Sequence, residues 1–300
     1  MLLSHYTSRS GLEGIARTGT LWATNFLMVN DSSEYFYAWG EIQKAAFKYA
    51  LARLPGDLIQ PDVDVEEMTE VLLKQMRDQL ASSDGYGHLY VTWFALAKTP
   101  EHEKNGILTL WDRYTELKGY CLQFDKADIE RMVHLDSMSR NYAWVALSPA
   151  TYGVDQDTFT FRELAMQVGE QQLLHVLRET RDGRIPVRHD DHWPPGLLAR
   201  NIMDYCGSHK HPSFDDEREF RILAYPLEQA DARVFTGIAN KKTIHEGPAG
   251  KKHLVMGDSW RPGIQPKRII VGPHADRSIE PVLDLFTRRP DVSVCTIPIV

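Results

Sequence analysis

The sequence predicts an α+β fold built around a mixed or antiparallel central sheet. Segments rich in aromatic and β-branched residues, typical of strands, are scattered along the chain and do not alternate regularly with helical segments. Two stretches, about 33–83 and 159–206, instead show helical character. We therefore predict a single α+β domain over residues 1–300, with these two stretches as helical elaborations beside one sheet.

The elements of the N-terminal half are predicted from short sequence patterns and from the residues that start or stop helices. Ser10 and Glu13 form a capping-box pattern for a helix that ends near Gly19, and Pro55-Gly56 stops a long helix. The predicted elements are a strand at 2–6, a helix ending near 18–19, an extended segment at 21–23, helices at about 33–54 and 65–80, a strand at 89–96, a helix at 107–114 and strands at 119–124 and 144–147.

The C-terminal half begins with helices and then changes to strands. The predicted elements are helices at 159–180 and 195–206, strands at 219–225, 253–256 and 268–271, a helix at 278–287 and a final strand at 292–299.

Composition limits the class of protein. The formal net charge of -7 argues against a protein that coats nucleic acid through bulk electrostatics. Three widely spaced cysteines favour free thiols in a reducing compartment over a disulfide framework. No apolar run approaches the roughly 20 residues of a spanning helix, and the N-terminus lacks a signal-peptide pattern. These features predict a cytoplasmic protein without a membrane partner.

A histidine and a carboxylate-rich segment at opposite ends of the chain form the first candidate site. His5 lies on the opening strand, where an imidazole can hydrogen-bond a hydroxyl or an amide, or titrate near neutral pH. Glu217, Glu219 and Arg221 begin a later strand, and alternate residues of a strand share one face. One carboxylate would bind a sugar hydroxyl while its neighbour positions a nucleophile, with Arg221 compensating their charge. The alternatives are a structural histidine and a solvated ladder of ion pairs.

Two further groups are candidate binding residues. Trp111 and Tyr114 share one face of a short helix, where they would either stack on a planar ring or pack in the core. Side chains between residues 189 and 211 are competent transition-metal ligands, although their spacing matches no standard zinc finger. These ligands are His189, Asp190, Asp191, His192, Cys206, His209 and His211.

Familiar catalytic motifs are missing from the sequence. It contains no Walker-type phosphate loop, no Gly-x-Gly-x-x-Gly after a strand, no Gly-x-Ser-x-Gly elbow and no His-Glu-x-x-His helix. NTPase, Rossmann, serine-hydrolase and zinc-protease functions are therefore disfavoured. Residues 241–268 carry seven Lys or Arg against two acids, so this basic stretch either meets a phosphate-bearing partner or is a solvated loop.

Five groups of motifs are spread over nearly the whole chain. They are Leu3–Ser8; Leu21–Thr24 with Asn30–Glu34; Leu110–Tyr114 with Gly119–Asp125; His211–Phe214 with Glu217–Arg221; and Arg268–Pro273. Their order resembles a widespread bacterial family of uncharacterised proteins, catalogued as a domain of unknown function.

A second resemblance, to the ADP-ribosyltransferases, carries the functional prediction. An N-terminal histidine, mid-chain aromatic residues and a glutamate opening a late strand look like that family's layout, in which they hold NAD and engage its nicotinamide ribose. The resemblance implies a sheet of the ADP-ribosyltransferase-like type, with His5 and Glu219 as catalytic residues and Glu217 as a helper. With His5, the implied cofactor-binding residues are Tyr6, Thr7, Trp111, Tyr114 and Arg221. The aromatic-Ser-Thr strand of one branch of the family is not evident.

Three functions remain open at this point. The first is an NAD-consuming ADP-ribosyltransferase-like enzyme that modifies a macromolecule, with nucleic acid preferred over protein because of the basic stretch. Such an enzyme would act as a toxin or antiviral-defence effector, with NAD as co-substrate, no metal, and a cognate antitoxin or chaperone as partner. The second is a non-enzymatic nucleotide-binding or sensing module. The third is a metal-dependent hydrolase or nuclease that uses the cluster between residues 189 and 211.

Overall fold

The computed structural model describes most of the chain and divides it into two compact units. The described residues are 1–29, 33–53, 70–71, 73–74, 78, 89–138, 142–174, 196–226, 242–247 and 250–298. Unit 1 comprises Met1–Met28, Leu89–Ala150 and Ser213–Val300, and unit 2 comprises Val29–His88 and Thr151–Pro212. The two predicted helical stretches fall within the segments of unit 2, and the single-domain prediction stays a prediction.

The described residues contain strands and helices throughout, which confirms the predicted α+β class. The strands are β1 Leu2–Thr7, β2 Leu21–Asn25, β3 Tyr90–Ala95, β4 Tyr120–Asp125, β5 Tyr142–Pro149, β6 Thr151–Tyr152, β7 His209–Lys210, β8 Glu219–Pro226, β9 Ile244–Glu246, β10 Lys252–Met256, β11 Arg268–Val271 and β12 Asp291–Val294. The α-helices are α1 Arg9–Thr18, α2 Ser33–Arg53, α3 Pro100–Asn105, α4 Leu108–Thr115, α5 Lys126–Met138, α6 Phe159–Met166, α7 Gly196–Ser208 and α8 Glu280–Leu283.

Unit 1 is organised around a mixed, mostly antiparallel sheet. Its strands follow the order β12-β11-β4-β1-β3-β2-β10-β9, and β8 joins this path by pairing with β3 and β5. Of these pairs only β11 with β12 is parallel. The prediction of a mixed or antiparallel central sheet is therefore confirmed.

Strand β3 is the point at which this sheet divides. One edge of β3 pairs with β8 along its whole length. Its other edge pairs with β2 near Val91 and with β1 at Ala95, so β1 and β2 occupy different parts of the same edge. Two side chains complete the hydrogen bonding in this region. His5 Nδ1 bonds the Trp93 carbonyl at 2.9 Å, and the Thr92 hydroxyl donates to the Trp22 carbonyl at 2.9 Å.

Helix α1 begins two residues earlier than the predicted capping box. The side chain of Ser8, not Ser10, accepts the Gly11 N–H at 3.2 Å. The reason is that β1 ends at Thr7, so the chain turns at Ser8, and Glu13 instead pairs with Arg9 at 2.8 Å. The predicted C-terminal end is right, because Gly19 caps the helix in the left-handed conformation with φ 65.

The main hydrophobic core of unit 1 involves one face of the sheet and residues of α1, α5 and α8. Alternation along the strands sends every second side chain into this core. Helix α5 was missed by the sequence analysis, although Ile129, Met132 and Val133 follow a helical spacing and are buried.

Two predicted elements near the C-terminus are shorter in the structure. Helix α8 spans Glu280–Leu283 and not 278–287. Strand β12 ends at Val294 because its parallel partner β11 offers only four residues for pairing.

Unit 2 is mainly helical in the part that the structure describes. Helix α2 packs against α6, α7 and a π-helix, Gln167–Leu173, that continues α6. Gly169 permits this approach, since a Cβ there would lie 2.5 Å from the Ala46 carbonyl oxygen. The predicted helix at 65–80 lies almost entirely outside the described residues, as does the C-terminal part of the helix predicted at 159–180.

A fully buried carboxylate ties α5 to the end of β10. Asp136 Oδ2 accepts hydrogen bonds from the Gly257 amide at 3.0 Å and the Tyr142 hydroxyl at 3.1 Å. The ammonium group of Lys242 lies 3.2 Å from the same oxygen, and Ser259 Oγ donates to Oδ1 at 2.9 Å. The side chains of Asp136 and Lys242 are 0% and 2% exposed, and Lys242 also pairs with the half-exposed Asp258, so Asp136 is the buried one of its two acidic partners.

Replacement of Asp136 tests this network. We expect Asp136→Ala to lower the free energy of unfolding by about 3–5 kcal/mol, because the Lys242 charge loses a buried partner. The control, Glu130→Ala on the same helix, removes an exposed pair with Lys126 and should cost about 0.5 kcal/mol or less. Urea denaturation of both variants measures the difference, and equal midpoints would contradict the assignment.

Candidate functional site

An open cavity lies in unit 1 where β1, the end of β3, α4 and the start of β8 meet, with about 350 Å³ of empty space that includes some of the adjoining solvent. The cavity is lined by Ser4, His5, Tyr6, Trp93, Phe94, Ala95, Leu110, Tyr114, Glu217 and Glu219.

His5 contributes an imidazole whose orientation and tautomer are fixed. A carbonyl oxygen can only accept, so the 2.9 Å bond to Trp93 places the proton on Nδ1. Burial lowers the pKa of His5 below its ordinary value of 6.5, and the bond to the backbone only partly offsets this effect. Nε2 has no hydrogen-bond partner among the described residues, so the neutral ring presents an acceptor to a ligand.

Glu219 opens β8 and belongs to a buried ion pair. Its Oε1 atom accepts from Arg221 Nε at 2.6 Å, and the two side chains are 3% and 1% exposed. A guanidinium at this distance favours the charged form of the carboxylate. Arg221 itself is not among the residues that line the cavity.

Glu217 also reaches the cavity, but from a different element than predicted. It ends a 3₁₀-helix, Pro212–Glu217, and the strand begins only at Glu219. Between them Arg218 has a positive φ of 42. The expectation that Glu217 and Glu219 share the face of one strand is therefore wrong, because this left-handed residue breaks the alternation.

Arg113 on α4 is a site residue that the sequence analysis did not single out. Its Nη1 atom lies 2.5 Å from Glu217 Oε1, and its guanidinium stacks 4.7 Å from the centre of the Phe214 ring. Each cavity carboxylate therefore has its own arginine. No sequence spacing could indicate this pair, because only the tertiary structure brings α4 to the start of β8.

The predicted aromatic residues take different places. Tyr114 lines the cavity directly. Tyr6 lines it too, packs edge-on against Trp111 at 4.9 Å, and accepts the Ile107 N–H at 2.7 Å. Burial raises the pKa of Tyr6 well above its ordinary value, so its phenol is neutral. Trp111 is fully buried outside the lining, where its indole N–H donates to the Asn105 carbonyl at 2.8 Å, so it packs in the core instead of facing a ligand.

Thr7 and the described candidate metal ligands are not among the residues that line the cavity. Thr7 ends β1 opposite Tyr120 and is not among the lining residues. In unit 2, Cys206 is buried, which raises its thiol pKa, and the His209 ring stacks on Tyr205 at 3.7 Å. No group of three or more metal-competent side chains occurs among the described residues, and positions 189–192 lie outside them.

The sheet and the cavity define an α+β protein with a cavity that carries two carboxylates and a histidine. Residues 110–222 match the model of a family described as Protein of unknown function (DUF2971). This match supports the resemblance to an uncharacterised family that the order of the motifs predicts. The matched segment includes most of α4 and both cavity glutamates. No curated protein and no solved structure matches the chain. In the part of the chain that the structure describes, no helix is long and apolar enough to span a membrane.

The tautomer and the pKa of His5 can be tested together. We expect ¹⁵N NMR to show a neutral ring protonated on Nδ1, with a pKa below 6.5. Protonation then favours the unfolded chain, so the contribution of His5 to stability falls as the pH is lowered through about 6.5. His5→Asn keeps an N–H near the Nδ1 position but does not titrate. It should therefore remove the part of the pH dependence of stability that His5 causes. An Nε2-protonated ring, or a pKa above 6.5, would contradict the geometry.

A double-mutant cycle tests the pairing of Arg113 with Glu217. We expect Arg113→Met to lower the free energy of unfolding by about 1–3 kcal/mol, because it leaves a buried carboxylate without its partner. Adding Glu217→Gln should recover part of that loss, as judged by urea denaturation. As a control, Arg289→Met removes an exposed arginine and should cost about 0.5 kcal/mol or less. Strictly additive effects of the two cavity substitutions would show that the pair is not coupled.

Proposed function

We propose that this protein is an NAD-consuming ADP-ribosyltransferase-like enzyme whose cavity takes the nicotinamide riboside part of NAD. One observation carries the proposal. His5 from the first strand and Glu219 from a late strand line the same cavity, although they lie at opposite ends of the sequence. This is the convergence that the resemblance to ADP-ribosyltransferases requires.

The residue types suit cleavage of the bond between nicotinamide and ribose. As that bond breaks, its electron pair leaves with nicotinamide and positive charge develops on the ribose. The Glu219 carboxylate would stabilise this charge and accept a ribose hydroxyl, while Nε2 of His5 would accept a second hydrogen bond. Tyr114 and Tyr6 offer aromatic surfaces for the nicotinamide ring.

The remaining carboxylate would serve the second half of the reaction. A nucleophile of the acceptor attacks the anomeric carbon, and Glu217 takes the proton that this nucleophile loses. Arg113 favours the charged form of Glu217 before the attack. The leaving group and the transferred proton are then both accounted for without a metal.

The proposed acceptor is a macromolecule, with nucleic acid preferred over protein. The preference for nucleic acid is supported by the basic stretch at 241–268, although two of its lysines pair with acidic residues of the protein. Lys242 is buried against Asp136, and Lys267 lies 3.2 Å from Asp125. The proposed biological role is that of a toxin or antiviral-defence effector in the cytoplasm, held in check by a cognate antitoxin or assisted by a chaperone.

A nucleotide-binding or sensing module without turnover is the second candidate. The observation that favours it is the near-complete burial of Glu219 and its 2.6 Å contact with Arg221, which occupies part of the carboxylate's capacity to accept hydrogen bonds. Isothermal titration calorimetry distinguishes the two candidates. Binding of NAD without nicotinamide release would favour the module.

Glu219→Gln tests the enzymatic proposal. We expect this variant to lose at least about 100-fold in nicotinamide release from NAD in a cell lysate, because a neutral amide cannot stabilise the developing charge. The amide oxygen still accepts from Arg221, but the buried guanidinium loses its counter-charge, so circular dichroism and urea denaturation establish whether the variant keeps its fold. The control Glu246→Gln changes an exposed carboxylate on β9 and should retain wild-type turnover. Labelled NAD shows whether the product is RNA, DNA or protein, and unchanged turnover in Glu219→Gln would overturn the site assignment.

A further inference from the structure

A stack of aromatic rings crosses three neighbouring strands of unit 1, with Trp22 and His245 exposed at its two ends and His253 buried between them. The Trp22 ring on β2 stacks on His253 of β10, with centroids 3.8 Å apart and planes 20° apart. His253 in turn faces His245 of β9, at 5.6 Å and 23°. We call these three side chains the aromatic ladder. None of them lines the cavity or takes part in the chemistry proposed above.

The ladder is held rigidly although it lies on the surface. Trp22 pairs with Val255 in the sheet, and its carbonyl accepts the Thr92 hydroxyl at 2.9 Å. His253 hydrogen-bonds the backbone of Lys251, and burial lowers its pKa, so its ring is neutral at pH 7. A planar aromatic surface is therefore already in place before any partner arrives.

Trp22 nevertheless remains open to solvent. Its side chain is 56% exposed, whereas Trp39 and Trp111 are 1% and 0% exposed. Among the described residues its only ring contact is with His253. A large apolar ring that is both ordered and exposed is typical of a binding surface.

The charge and the position of the ladder indicate the kind of partner. Lys251 follows the same alternation as His253 and is exposed, so its charge belongs to the face of the ladder, whereas Lys252 alternates to the other face. Leu21 and Ala23 point into the core, so Trp22 belongs to the opposite face of the sheet. Glu219 belongs to that same face, because Ile222 and Ala224 on its strand enter the core. The ladder and the cavity carboxylate therefore share one face.

We propose that the aromatic ladder is a stacking platform for the bases of a single-stranded nucleic acid. Every base has a π-face that can stack on the open face of Trp22, and Lys251 attracts the phosphate backbone. His253 is enclosed between the other two rings, so Trp22 and His245 at the ends of the stack are the rings that bases can reach. The biological meaning of this surface, delivery of an acceptor to the cavity, rests on the proposed function, but the binding itself does not.

Fluorescence anisotropy with a labelled single-stranded oligothymidylate of about 12 nucleotides tests the platform. We expect Trp22→Ala to weaken binding at least about 10-fold and Trp22→Phe to retain most of it, because a phenyl ring still stacks. The control Phe159→Ala removes an aromatic side chain that is 80% exposed in unit 2 and should leave binding unchanged. Lys251→Gln should reduce the dependence of the affinity on salt, whereas Lys252→Gln, on the other face of the sheet, should leave it unchanged.

Three results would overturn the proposal. The first is that the wild-type protein does not bind the oligonucleotide at low salt, and the second is that Trp22→Ala binds it as tightly as the wild type. The third is that ADP-ribose binds as tightly as the oligonucleotide and also requires Trp22, which would make the ladder part of a dinucleotide site. Nicotinamide release without oligonucleotide is measured separately on wild type and Trp22→Ala. If neither protein releases nicotinamide while the wild type binds the oligonucleotide, the enzymatic function is rejected and the stacking platform is still supported.

Discussion

The candidate site depends on the junction of β1 and β3, where His5 Nδ1 donates a hydrogen bond to the Trp93 carbonyl. Strand β3 pairs with β8 along one edge and shares its other edge between β1 and β2. A sheet that divides in this way must satisfy its backbone groups by other means, and here side chains do so. The same imidazole that completes the sheet therefore faces the cavity, so the architecture of the sheet and the geometry of the site cannot be changed independently.

Charge compensation is the second constraint on the cavity. Two carboxylates at one small site would repel each other, and burial would penalise both. The structure gives each its own arginine: Arg221 two positions along the same strand, and Arg113 from helix α4. The two pairs differ in exposure, because Arg221 is enclosed whereas the side chain of Arg113 is 37% exposed. Glu219 is consequently the more tightly held group, and Glu217 is the one that a partner could reach with less rearrangement.

The sequence allowed a correct prediction of what depends on local patterns. The strands that carry His5 and Glu219, the helix that carries Tyr114 and the glycine that ends α1 all follow from residue types and spacing. Tertiary contacts decided the rest. Arg113 pairs with Glu217 across a long separation in sequence, and Trp111 is buried with its N–H bonded to the Asn105 carbonyl. Ser8 and not Ser10 caps α1, because β1 ends at Thr7 and the helix begins directly after Ser8. Helix α5 had a readable pattern and was simply missed.

Arg218 shows where this fold gives up stability for its site. Its left-handed backbone, with φ 42, lies between the two cavity carboxylates and allows the chain to leave a 3₁₀-helix and enter a strand within one residue. A non-glycine residue in this region costs on the order of 1–2 kcal/mol. An Arg218→Gly exchange would relieve that strain locally, yet it would also loosen the peptide that aims Glu217 and Glu219 at one cavity. The trade-off between rigidity and activity is thus concentrated at a single backbone position.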